Sequence, residues 1–451
     1  MKHLQASEAL HIILEAVRTP GTEQARLEQA LGRVLAQDIR ANRDLPPCDV
    51  SAMDGFAVRS ADVANAPVIL EIIEDIRAGD MPRNTLAAGQ CARIMTGAPV
   101  PPGADAVIRV EDTQEISASV VQINKAVKPG NDMRLRGENM FIGDVVLTAG
   151  TEITPGVIGV LATVKAAQFA VYRRPRVAIL STGNELEAMD EPVDPNKIPD
   201  ANSYALMAQV QALGIEPVLL GIARDDPLEL EQYLWRGLEY DVLLVSGGTS
   251  VGVHDYVRPT IEKLGVIMKF WRVAIRPGHP LAFGMLPPTK VPQVDAVQGA
   301  SREPTQAYLE DRQGGEQRVT PQCAACGTLV FGLPGNPVSS MVCVEEFVAP
   351  ALRRMMGNPR LYRRTVTARV AHEVKFCPGR TEFIRVQLTR DEAGYIASAT
   401  GTQSSGVLLS MARADGLLVV PANSTGLAAG AQVIVQLLDG TAFQDEIGFS
   451  E

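Results

Sequence analysis

The sequence predicts a multidomain protein in which an α/β domain with a mostly parallel sheet lies between two regions of short β-strands. Between residues 176 and 356, buried apolar runs alternate with helical segments. On either side, in residues 55–150 and 364–440, short apolar runs are separated by turn residues. Strands that alternate with helices form parallel sheets covered on both faces, whereas regularly spaced short strands form barrels or sandwiches.

Predicted strands and the starts of predicted helices define the central domain. The strands are residues 176–181, 216–222, 241–245 and 329–332, and the helices are residues 203–213, a helix from 226 and a helix from 336 to about 356. Asp226-Pro227 and Asn336-Pro337 each place an N-cap residue before a proline at the first helical position. Glu229, three residues after Asp226, makes a capping-box arrangement.

The regions on both sides are predicted from simpler patterns. Residues 6–40 are expected to be helical because apolar residues recur at helical spacing, first Leu10, Ile13, Leu14 and Val17, then Leu27, Leu31 and Val34. The β-like runs are residues 68–73, 106–110 and 119–123 upstream, and 365–370, 383–388, 417–420 and 432–438 downstream. The downstream set predicts a small β-barrel or sandwich.

The most informative segment for function is the glycine turn Ser246-Gly247-Gly248-Thr249-Ser250. It follows the apolar strand 241–245, and Asp255 comes a few residues later. Backbone N–H groups in such a turn can hold an anion and a carboxylate can hold a metal, so the pair indicates phosphoryl or nucleotidyl chemistry. The spacing is not that of a dinucleotide fold, and a tight β-turn without a ligand is the alternative.

Three further polar turns support the phosphate interpretation. Residues 181–185, 224–226 and 334–336 also follow predicted strands. The carboxyl ends of parallel strands meet at one edge of a sheet, and ligands bind beyond that edge in open α/β sheets. Four polar turns at one edge therefore favour a binding site over a plain turn.

The composition of the chain limits the classes of protein to which it can belong. The chain has 451 residues, of which 46% are hydrophobic, and its formal net charge of −10 argues against a general nucleic-acid binder. No apolar run approaches the ~18 residues of a membrane span. Six cysteines in this length, without a signal-like N-terminus, indicate a reducing compartment. We therefore expect a cytoplasmic protein with neither nucleic-acid nor membrane partners.

Residues 287–327 are expected to form a long mobile insertion. They are polar, rich in Gln, Pro and Gly, and without helical or strand period. The segment contains Cys323 and Cys326. One C-x-x-C pair is half of a zinc site and the sequence has no second pair, so two reduced thiols are the favoured interpretation.

The sequence also resembles the molybdopterin molybdenumtransferase family along almost its whole length. The matching segments are residues 31–36, 51–58, 93–99, 136–138, 181–186, 224–226, 246–252, 332–339, 378–380 and 401–405. They include Ser51-Ala52-Met53-Asp54-Gly55 and Gly332-Leu333-Pro334-Gly335-Asn336-Pro337. Any one segment is weak evidence, but so many in the same order make the resemblance specific.

The resemblance implies a protomer in four parts, of which the N-terminal region is elongated. These are an N-terminal helical and β region of residues 1–54 plus 140–174, an inserted β module of 55–139, a three-layer α/β domain of 175–360 that carries the 287–327 insertion, and a C-terminal β domain of 361–451. It implies a homodimer whose cleft lies between one subunit's β module and the other's α/β and C-terminal domains. The implied reaction takes adenylylated molybdopterin and molybdate, leaves molybdenum on the dithiolene sulfurs and releases AMP. Mg²⁺ or another divalent metal assists.

The resemblance assigns catalysis to three acids, Glu185, Asp225 and Asp255. Asp225 and Asp255 would be oxygen ligands of the metal, and Glu185 would hold metal-bound water or act as a base. For each acid the alternative is a helix cap or a solvated loop residue. Asp226 fits that alternative, because it precedes its helix as an N-cap.

The residues implied in substrate binding share the ability to donate hydrogen bonds to anions. Those for the AMP phosphate are Gly247, Gly248 and Ser250. Those for molybdate, a tetrahedral dianion, are Arg276, His279, Ser339, Arg380 and Ser405. The partner subunit would contribute Asp54 and Thr96, and for Asp54 the alternative is a turn residue before Gly55.

Three positions depart from the family pattern. Arg276-Pro277-Gly278-His279-Pro280 stands where the family has Lys-Pro-Gly-Lys-Pro, and Asn139 stands where it has aspartate. Arg276 keeps the cation, whereas free histidine titrates near ~6.5. An active molybdenum insertase is the leading hypothesis. A paralogue that prefers tungstate or another pterin adduct, and a non-catalytic dimer that binds molybdopterin as a scaffold, are the alternatives.

Overall fold

The computed structural model describes residues 4–248, 256–288, 327–376 and 378–438. The chain divides into two compact units. The upstream unit is Gln24–Leu31 and Leu35–Ala170, and the main unit is Met1–Glu23, Gly32–Val34 and Val171–Glu451. Ser250, Asp255, Cys323, Cys326 and most of the predicted insertion lie outside the described residues. The four-part division of the chain stays a prediction.

A six-stranded sheet forms the centre of the upstream unit. In spatial order its strands are Ala106–Arg109, Gly55–Val58, Gln90–Ile94, Val68–Ile76, Val120–Ile123 and Thr113–Ser117. All three β-like runs predicted for this region are confirmed. Shorter pairs join Val50–Ser51 to Met133–Arg134 and Ile39–Arg40 to Val145–Leu147, and the unit also holds the helix Pro155–Thr163.

The prediction that residues 6–40 are helical is wrong beyond the first helix. The helix Ala6–Ala16 is followed by the strand Thr22–Arg26 and the 3₁₀ turn Leu27–Gln29. Pro20 and Gly21 explain the break. Proline disfavours helical backbone in the residue before it, and the φ of 107° at Gly21 is incompatible with a right-handed helix.

The central sheet of the main unit has six strands. In spatial order they are Val218–Ala223, Val177–Thr182, Val242–Ser246, Thr328–Leu333, Ala282–Leu286 and Ile267–Phe270. The first four strands pair in parallel, and only Ala282–Leu286 runs opposite to the other five, which confirms the predicted mostly parallel sheet. A short parallel pair, Leu186–Glu187 with Ile198–Pro199, stands apart from this sheet.

Helices cover both faces of the central sheet. They are Ala201–Ala212, Pro227–Gly237, Val257–Lys263, Pro337–Cys343 and Ala349–Met355. Successive strand residues point to opposite faces, so Ile179 packs in a core with Leu206 and Leu180 packs in another core with Leu234. The domain is therefore built in three layers, as predicted. No helix among the described residues is long and apolar enough to cross a membrane.

The C-terminal β region is a closed five-stranded barrel. Around the barrel the strands are Thr381–Asp391, Gly394–Ala399, Thr365–Val370, Gln432–Leu437 and Gly416–Val420, and the last pairs with the first. This closure decides between the barrel and the sandwich that the sequence left open. The strand Ile275–Arg276 pairs in parallel with the first barrel strand. A short pair, Val374–Lys375 with Gly426–Leu427, and the helix Leu409–Ala412 complete the region.

The helix predicted from Asn336 to about 356 is interrupted. It consists of Pro337–Cys343, a π-helical turn at Val344–Val348, and Ala349–Met355. Pro350 has no N–H group to donate to the carbonyl four residues earlier, and its ring crowds that carbonyl. The wider π turn, in which Ala349 N donates to Val344 O, accommodates the proline. Asn336 occupies the N-cap position, but its side chain makes no capping hydrogen bond.

The π turn holds a carboxyl group whose ionisation opposes folding. Burial raises the pKa of Glu346 from its ordinary 4.5 to about 7, although Gln436 Nε2 donates to the carboxylate at 3.2 Å. A pKa that is higher in the folded state destabilises the protein as the pH rises from below 4.5 to above 7. Gln436 Oε1 is buried without a hydrogen-bond donor among the described residues, and a protonated Glu346 could supply one.

Glu346→Gln should therefore stabilise the protein at pH 8 and have little effect at pH 5. We expect a gain of about 1–3 kcal/mol at pH 8, because one pKa unit corresponds to about 1.4 kcal/mol and Glu346 keeps part of its surface exposed. Urea denaturation at the two pH values measures the difference. Glu392→Gln, a change at an exposed position between two barrel strands, is the control and should show no such pH dependence. An equal effect of Glu346→Gln at both pH values would contradict the assignment.

Candidate functional site

Four parallel strands of the central sheet end at one edge, which we call the rim. Their last residues are Thr182, Ala223, Ser246 and Leu333. The strand that ends at Thr182 lies between two others. The next strand of the sheet along the chain, which ends at Ala223, pairs on one side of it, and the following one, which ends at Ser246, pairs on the other side. Such a reversal of strand order opens a crevice, which is where ligands bind in open α/β sheets. The topology therefore favours a ligand site between Thr182 and Ser246.

Packing alone requires both glycines of the turn after Ser246. Gly247 has a φ of +92°, and a Cβ there would lie 2.5 Å from Thr182 O. Gly248 has a φ of +61°, and a Cβ there would lie 2.2 Å from Val257 Cγ2. Both backbones thus lie at the crevice, where only glycine fits. Their role as phosphate donors stays a prediction, because the close approach explains the glycines without a ligand.

A reciprocal pair of hydrogen bonds joins the first two polar turns of the rim. Asn184 N donates to Asp225 Oδ2 at 3.4 Å, and Asp225 N donates to Asn184 Oδ1 at 3.1 Å. The exposed Glu185 carboxylate folds back over Gly183, whose missing Cβ would lie 2.4 Å from Glu185 Oε2. Glu185 and Asp225 therefore lie on two turns that are fastened together beside the crevice.

Asp226 has the structural role that the sequence indicated. Its Oδ1 accepts hydrogen bonds from Leu228 N at 3.0 Å and Glu229 N at 2.8 Å, which caps the following helix. The capping box is modified, because Glu229 Oε1 accepts from Arg224 N at 3.1 Å. Glu229 thus fixes the backbone of the residue before Asp225, and the cap helps to orient the candidate metal ligand.

Asn202, which no sequence pattern had singled out, joins two other rim turns. Its Nδ2 donates to Ser246 Oγ and to Gly335 O, both at 2.8 Å. Asn202 lies in the first turn of a helix capped by Asp200, whose Oδ1 accepts from Ser203 N at 3.1 Å. An aspartate N-cap at Asp200 is a helix-start signal that would have placed Asn202 in the first turn at the rim. The predicted helix instead began at residue 203, just after Asn202.

The candidate oxyanion residues Arg276 and Arg380 lie on adjoining segments. Arg276 pairs with Glu382 in the register of two parallel strands, and Arg380 comes two residues before Glu382. Arg276 Nη1 lies 3.4 Å from Glu382 Oε1, yet the arginine side chain stays 65% exposed. No sequence pattern indicated Glu382 as the partner of Arg276. Because most of its guanidinium surface remains accessible, Arg276 can still contact an anion.

His279 is half-buried, and one of its two ring nitrogens is held by a backbone carbonyl. Its Nδ1 lies 2.7 Å from Val273 O, an acceptor, so Nδ1 carries a proton. Val273 N in turn donates to His279 O at 3.0 Å. With Nδ1 protonated in either charge state, Nε2 can donate to an anion only in the imidazolium form.

The serines predicted to bind the oxyanion meet at the start of a helix. Val338 N donates to Ser405 O at 3.2 Å, which attaches the barrel segment 401–405 to the helix Pro337–Cys343. Ser339 is 4% exposed and lies in the first turn of that helix. The structure therefore brings Ser339 and Ser405 together, although they are 66 positions apart in the sequence.

Asp54 and Thr96 form a hydrogen-bonded pair within the upstream unit. Asp54 Oδ1 accepts from both Thr96 N and Thr96 Oγ1 at 2.7 Å, and these bonds lower the pKa of the carboxyl group. A Cβ on Gly55 would lie 1.8 Å from Ile108 O, so glycine is required next to Asp54 by strand packing. The exposed Asp54 carboxylate is therefore ionised and held in one orientation by Thr96.

A cavity of about 660 Å³ lies in the same unit, beside Thr96. Its walls include Gly97, Arg134, Glu138 and Asn139, together with Leu45, Pro46, Pro47 and Val50. Asn139, one of the three departures from the family pattern, thus lines this cavity together with the charged residues Arg134 and Glu138.

Three protein-family models match the chain in order. Residues 4–164 match the MoeA N-terminal region (domains I and II), residues 178–354 a probable molybdopterin-binding domain, and residues 367–438 the MoeA C-terminal region (domain IV). Together these matches cover the upstream unit, the central sheet and the barrel.

Curated relatives and solved structures agree with the family models. The chain is 35% identical to a molybdopterin molybdenumtransferase of a Nostoc species over 92% of this chain and 88% of the relative. It is 32% identical to the Bacillus subtilis molybdopterin molybdenumtransferase over 96% and 94%. The crystal structure of a molybdopterin biosynthesis MoeA protein from Pyrococcus horikoshii OT3 is similar, with a TM-score of 0.77, 28% identity and coverage of 97% of this chain and 100% of that one. The chain belongs to the MoeA family of molybdopterin molybdenumtransferases.

Proposed function

We propose that this protein transfers molybdenum from molybdate to adenylylated molybdopterin and releases AMP. The observation that carries the proposal is the group of fastened polar turns at the crevice, in which Asn184 and Asp225 bind each other reciprocally beside Gly247 and Gly248. Exposed backbone at the end of parallel strands suits a phosphate, and an exposed carboxylate beside it suits a cation.

The acids at the rim suit a hard divalent cation by the chemistry of their donors. Mg²⁺ is commonly bound through one or two carboxylates, with water and substrate phosphate completing its coordination. Asp225 would be one protein ligand and Asp255, outside the described residues, the other. The described residues contain no cluster of three or more His, Cys, Asp or Glu side chains that could hold a metal by themselves, which fits binding shared with a substrate phosphate. When bound, the cation would neutralise charge on the phosphate that is cleaved from the pterin.

The chain's own residues would orient the substrates around this position. Gly247 and Gly248 can approach the AMP phosphate closely because neither carries a side chain. Glu185 can accept a proton from water, since its carboxylate lies exposed on the neighbouring turn. The molybdate oxygens would receive charge-assisted hydrogen bonds from Arg276 and Arg380. Ser339 and Ser405 would add hydroxyl donors.

AMP release by the purified protein tests the proposal. Adenylylated molybdopterin should yield AMP in the presence of molybdate and a divalent cation, and the pterin product should carry molybdenum. Tungstate in place of molybdate tests the alternative oxyanion. Binding of the pterin without any AMP release under these conditions would contradict the proposal and indicate a scaffold.

We also propose that the working unit is a homodimer with shared clefts. Asp54 and Thr96 lie in the upstream unit and Asp225 lies in the main unit, and the family resemblance implies that different subunits supply them. Asp54→Asn and Asp225→Asn should each be inactive alone. Co-expressed, they should recover about a quarter of wild-type activity, since about half of the dimers are mixed and one cleft in each mixed dimer is intact. A cleft built within one subunit would recover none.

The cysteines support the cytoplasm as the compartment we propose. Cys48, Cys91 and Cys343 are free thiols among the described residues. Burial raises the pKa of the Cys91 thiol to about 12, so it is protonated and unreactive at neutral pH. Buried free thiols are ordinary in reducing compartments and uncommon in secreted proteins.

Molybdate binding should depend on pH through His279. Because Nδ1 already donates to Val273 O, only the imidazolium can donate Nε2 to the oxyanion, and a bound dianion favours that form. Binding should take up a proton near neutral pH and weaken as the pH rises through the histidine range, ~6.5 for the free side chain. His279→Lys should flatten this dependence. Calorimetry in buffers of different ionisation enthalpy counts the proton, and zero uptake would mean that Arg276 and Arg380 bind the anion without His279.

A further inference from the structure

Arg385 is a buried arginine in the barrel that the proposed mechanism does not use. It lies on the strand Thr381–Asp391 and is 1% exposed. Its guanidinium donates to Ser410 Oγ at 3.2 Å, to Ser404 O at 3.3 Å and to Phe383 O at 3.4 Å. All three acceptors are neutral, and in the part of the chain that the structure describes no carboxylate forms an ion pair with this guanidinium.

A buried charge without a counter-ion is costly, so its position calls for an explanation. Removing an ion from water costs several kcal/mol unless opposite charge or strong hydrogen bonds offset the loss. Burial lowers the pKa of Arg385, because the protein interior disfavours the charged form. Arginine nevertheless stays protonated in proteins, so the residue carries a fixed positive charge inside the barrel.

Arg385 also holds the barrel segment 401–405 from several sides. Its backbone N donates to Gln403 Oε1 at 3.0 Å, and its backbone O accepts from Gln403 Nε2 at 3.2 Å. The guanidinium holds the carbonyl of Ser404, the residue immediately before Ser405. The same segment is attached to the helix Pro337–Cys343 by the hydrogen bond that Val338 N donates to Ser405 O. Arg385 therefore fixes the position of Ser405 relative to the helix that carries Ser339.

We propose that Arg385 is the positioning residue of the oxyanion subsite, and that the substrate dianion supplies negative charge that the described barrel residues do not place against its guanidinium. The inference rests on the proposed function, because the subsite is the one assigned to molybdate. The guanidinium orients the segment 401–405 through Ser404. Its field also favours an anion of higher charge at Ser405, since electrostatic attraction is weakly screened inside a protein.

Oxyanion binding by the full-length protein tests the inference without turnover. Calorimetry would compare molybdate, a tetrahedral dianion, with perrhenate, a tetrahedral monoanion of similar size. Arg385→Met should raise the Kd for molybdate at least tenfold and the Kd for perrhenate much less. Arg385→Lys, which keeps the charge but not the planar fork, should weaken both anions and retain the preference for the dianion. A role in packing alone would weaken both anions equally in both variants.

Two further variants keep the test decisive. Arg369→Met removes an arginine from another barrel strand, where Arg369 Nη2 pairs with Asp391 at 2.6 Å, and should leave both Kd values within twofold. Gln403→Ala loosens the segment without leaving a charge unpaired, and should raise both Kd values about threefold even if Arg385→Met does not fold. Unchanged molybdate binding in folded Arg385→Met would overturn the inference. Unchanged molybdate binding in both single variants, Arg385→Lys and Gln403→Ala, would overturn it as well. Absence of molybdate binding by the wild-type protein would instead contradict the proposed function.

Discussion

Asp225→Asn should lower the rate of AMP release by about 10²-fold or more, the loss typical of removing one electrostatic contact to a reacting group. The asparagine can still accept the hydrogen bond from Asn184 N, so the turn should keep its shape. What is lost is the negative charge that we propose binds the divalent cation beside the phosphate. Single-turnover AMP release at saturating molybdate measures the effect, and raising the cation concentration should restore part of the rate.

Asp226→Asn is the matched control for this prediction. The two acids are adjacent, and each accepts backbone hydrogen bonds, but Asp226 uses its carboxylate to cap a helix. Asparagine caps helices about as well as aspartate, so this variant should keep its activity within about twofold and lose well under ~1 kcal/mol of stability. If both variants lose activity equally, the division into a metal ligand and a cap is wrong.

Asp241→Ala should lower the free energy of unfolding by about 3 kcal/mol, the lower end of the range for breaking a buried ion pair. Asp241 is completely buried at the start of a central strand. Its Oδ2 accepts from Arg173 Nη2 at 2.9 Å and from Arg176 N at 2.8 Å, and Arg176 Nη2 lies 3.5 Å from Oδ1. Both arginines are partly exposed, so water can solvate them after the change, which limits the loss.

Chemical denaturation followed by circular dichroism measures this loss. Glu262→Ala provides the control, because Glu262 pairs with Arg258 at 3.3 Å on a helix surface where both side chains are about half exposed. Such a surface pair contributes about 0.5 kcal/mol or less. If the Asp241 and Glu262 variants are equally stable, the buried pair has no special role in holding the start of the strand.

The buried strands of the central sheet could be predicted because their cause is local. Residues 177–182 and 242–246 are mostly apolar because both faces of the sheet are covered, and short apolar runs bounded by turns are typical of such buried strands. Asp226-Pro227 could be predicted for a similar reason, since a cap acts on groups two or three residues away. Periodicity failed at Leu27 and Leu31, where Pro20 and Gly21 had already ended the helix.

The contacts that assemble the candidate site could not be predicted from the same patterns. Arg276 and Glu382 meet only because the short strand Ile275–Arg276 pairs with the first strand of the barrel. Asn202 reaches Gly335 across the rim, and Arg385 reaches Ser404 within the barrel. Each of these partners is chosen by the arrangement of elements distant in sequence, and neither composition nor periodicity records it.

By itself, the sequence determined the family, the α/β centre and the four polar turns, because motifs and hydrophobic runs are properties of neighbouring residues. The tertiary structure decided how these parts act together. It closed the C-terminal strands into a barrel, joined Asn184 to Asp225 by hydrogen bonds, and buried Arg385 where it holds the carbonyl of Ser404, next to Ser405. Closure, long-range hydrogen bonds and burial of charge depend on which distant segments become neighbours, and that is settled only when the chain packs.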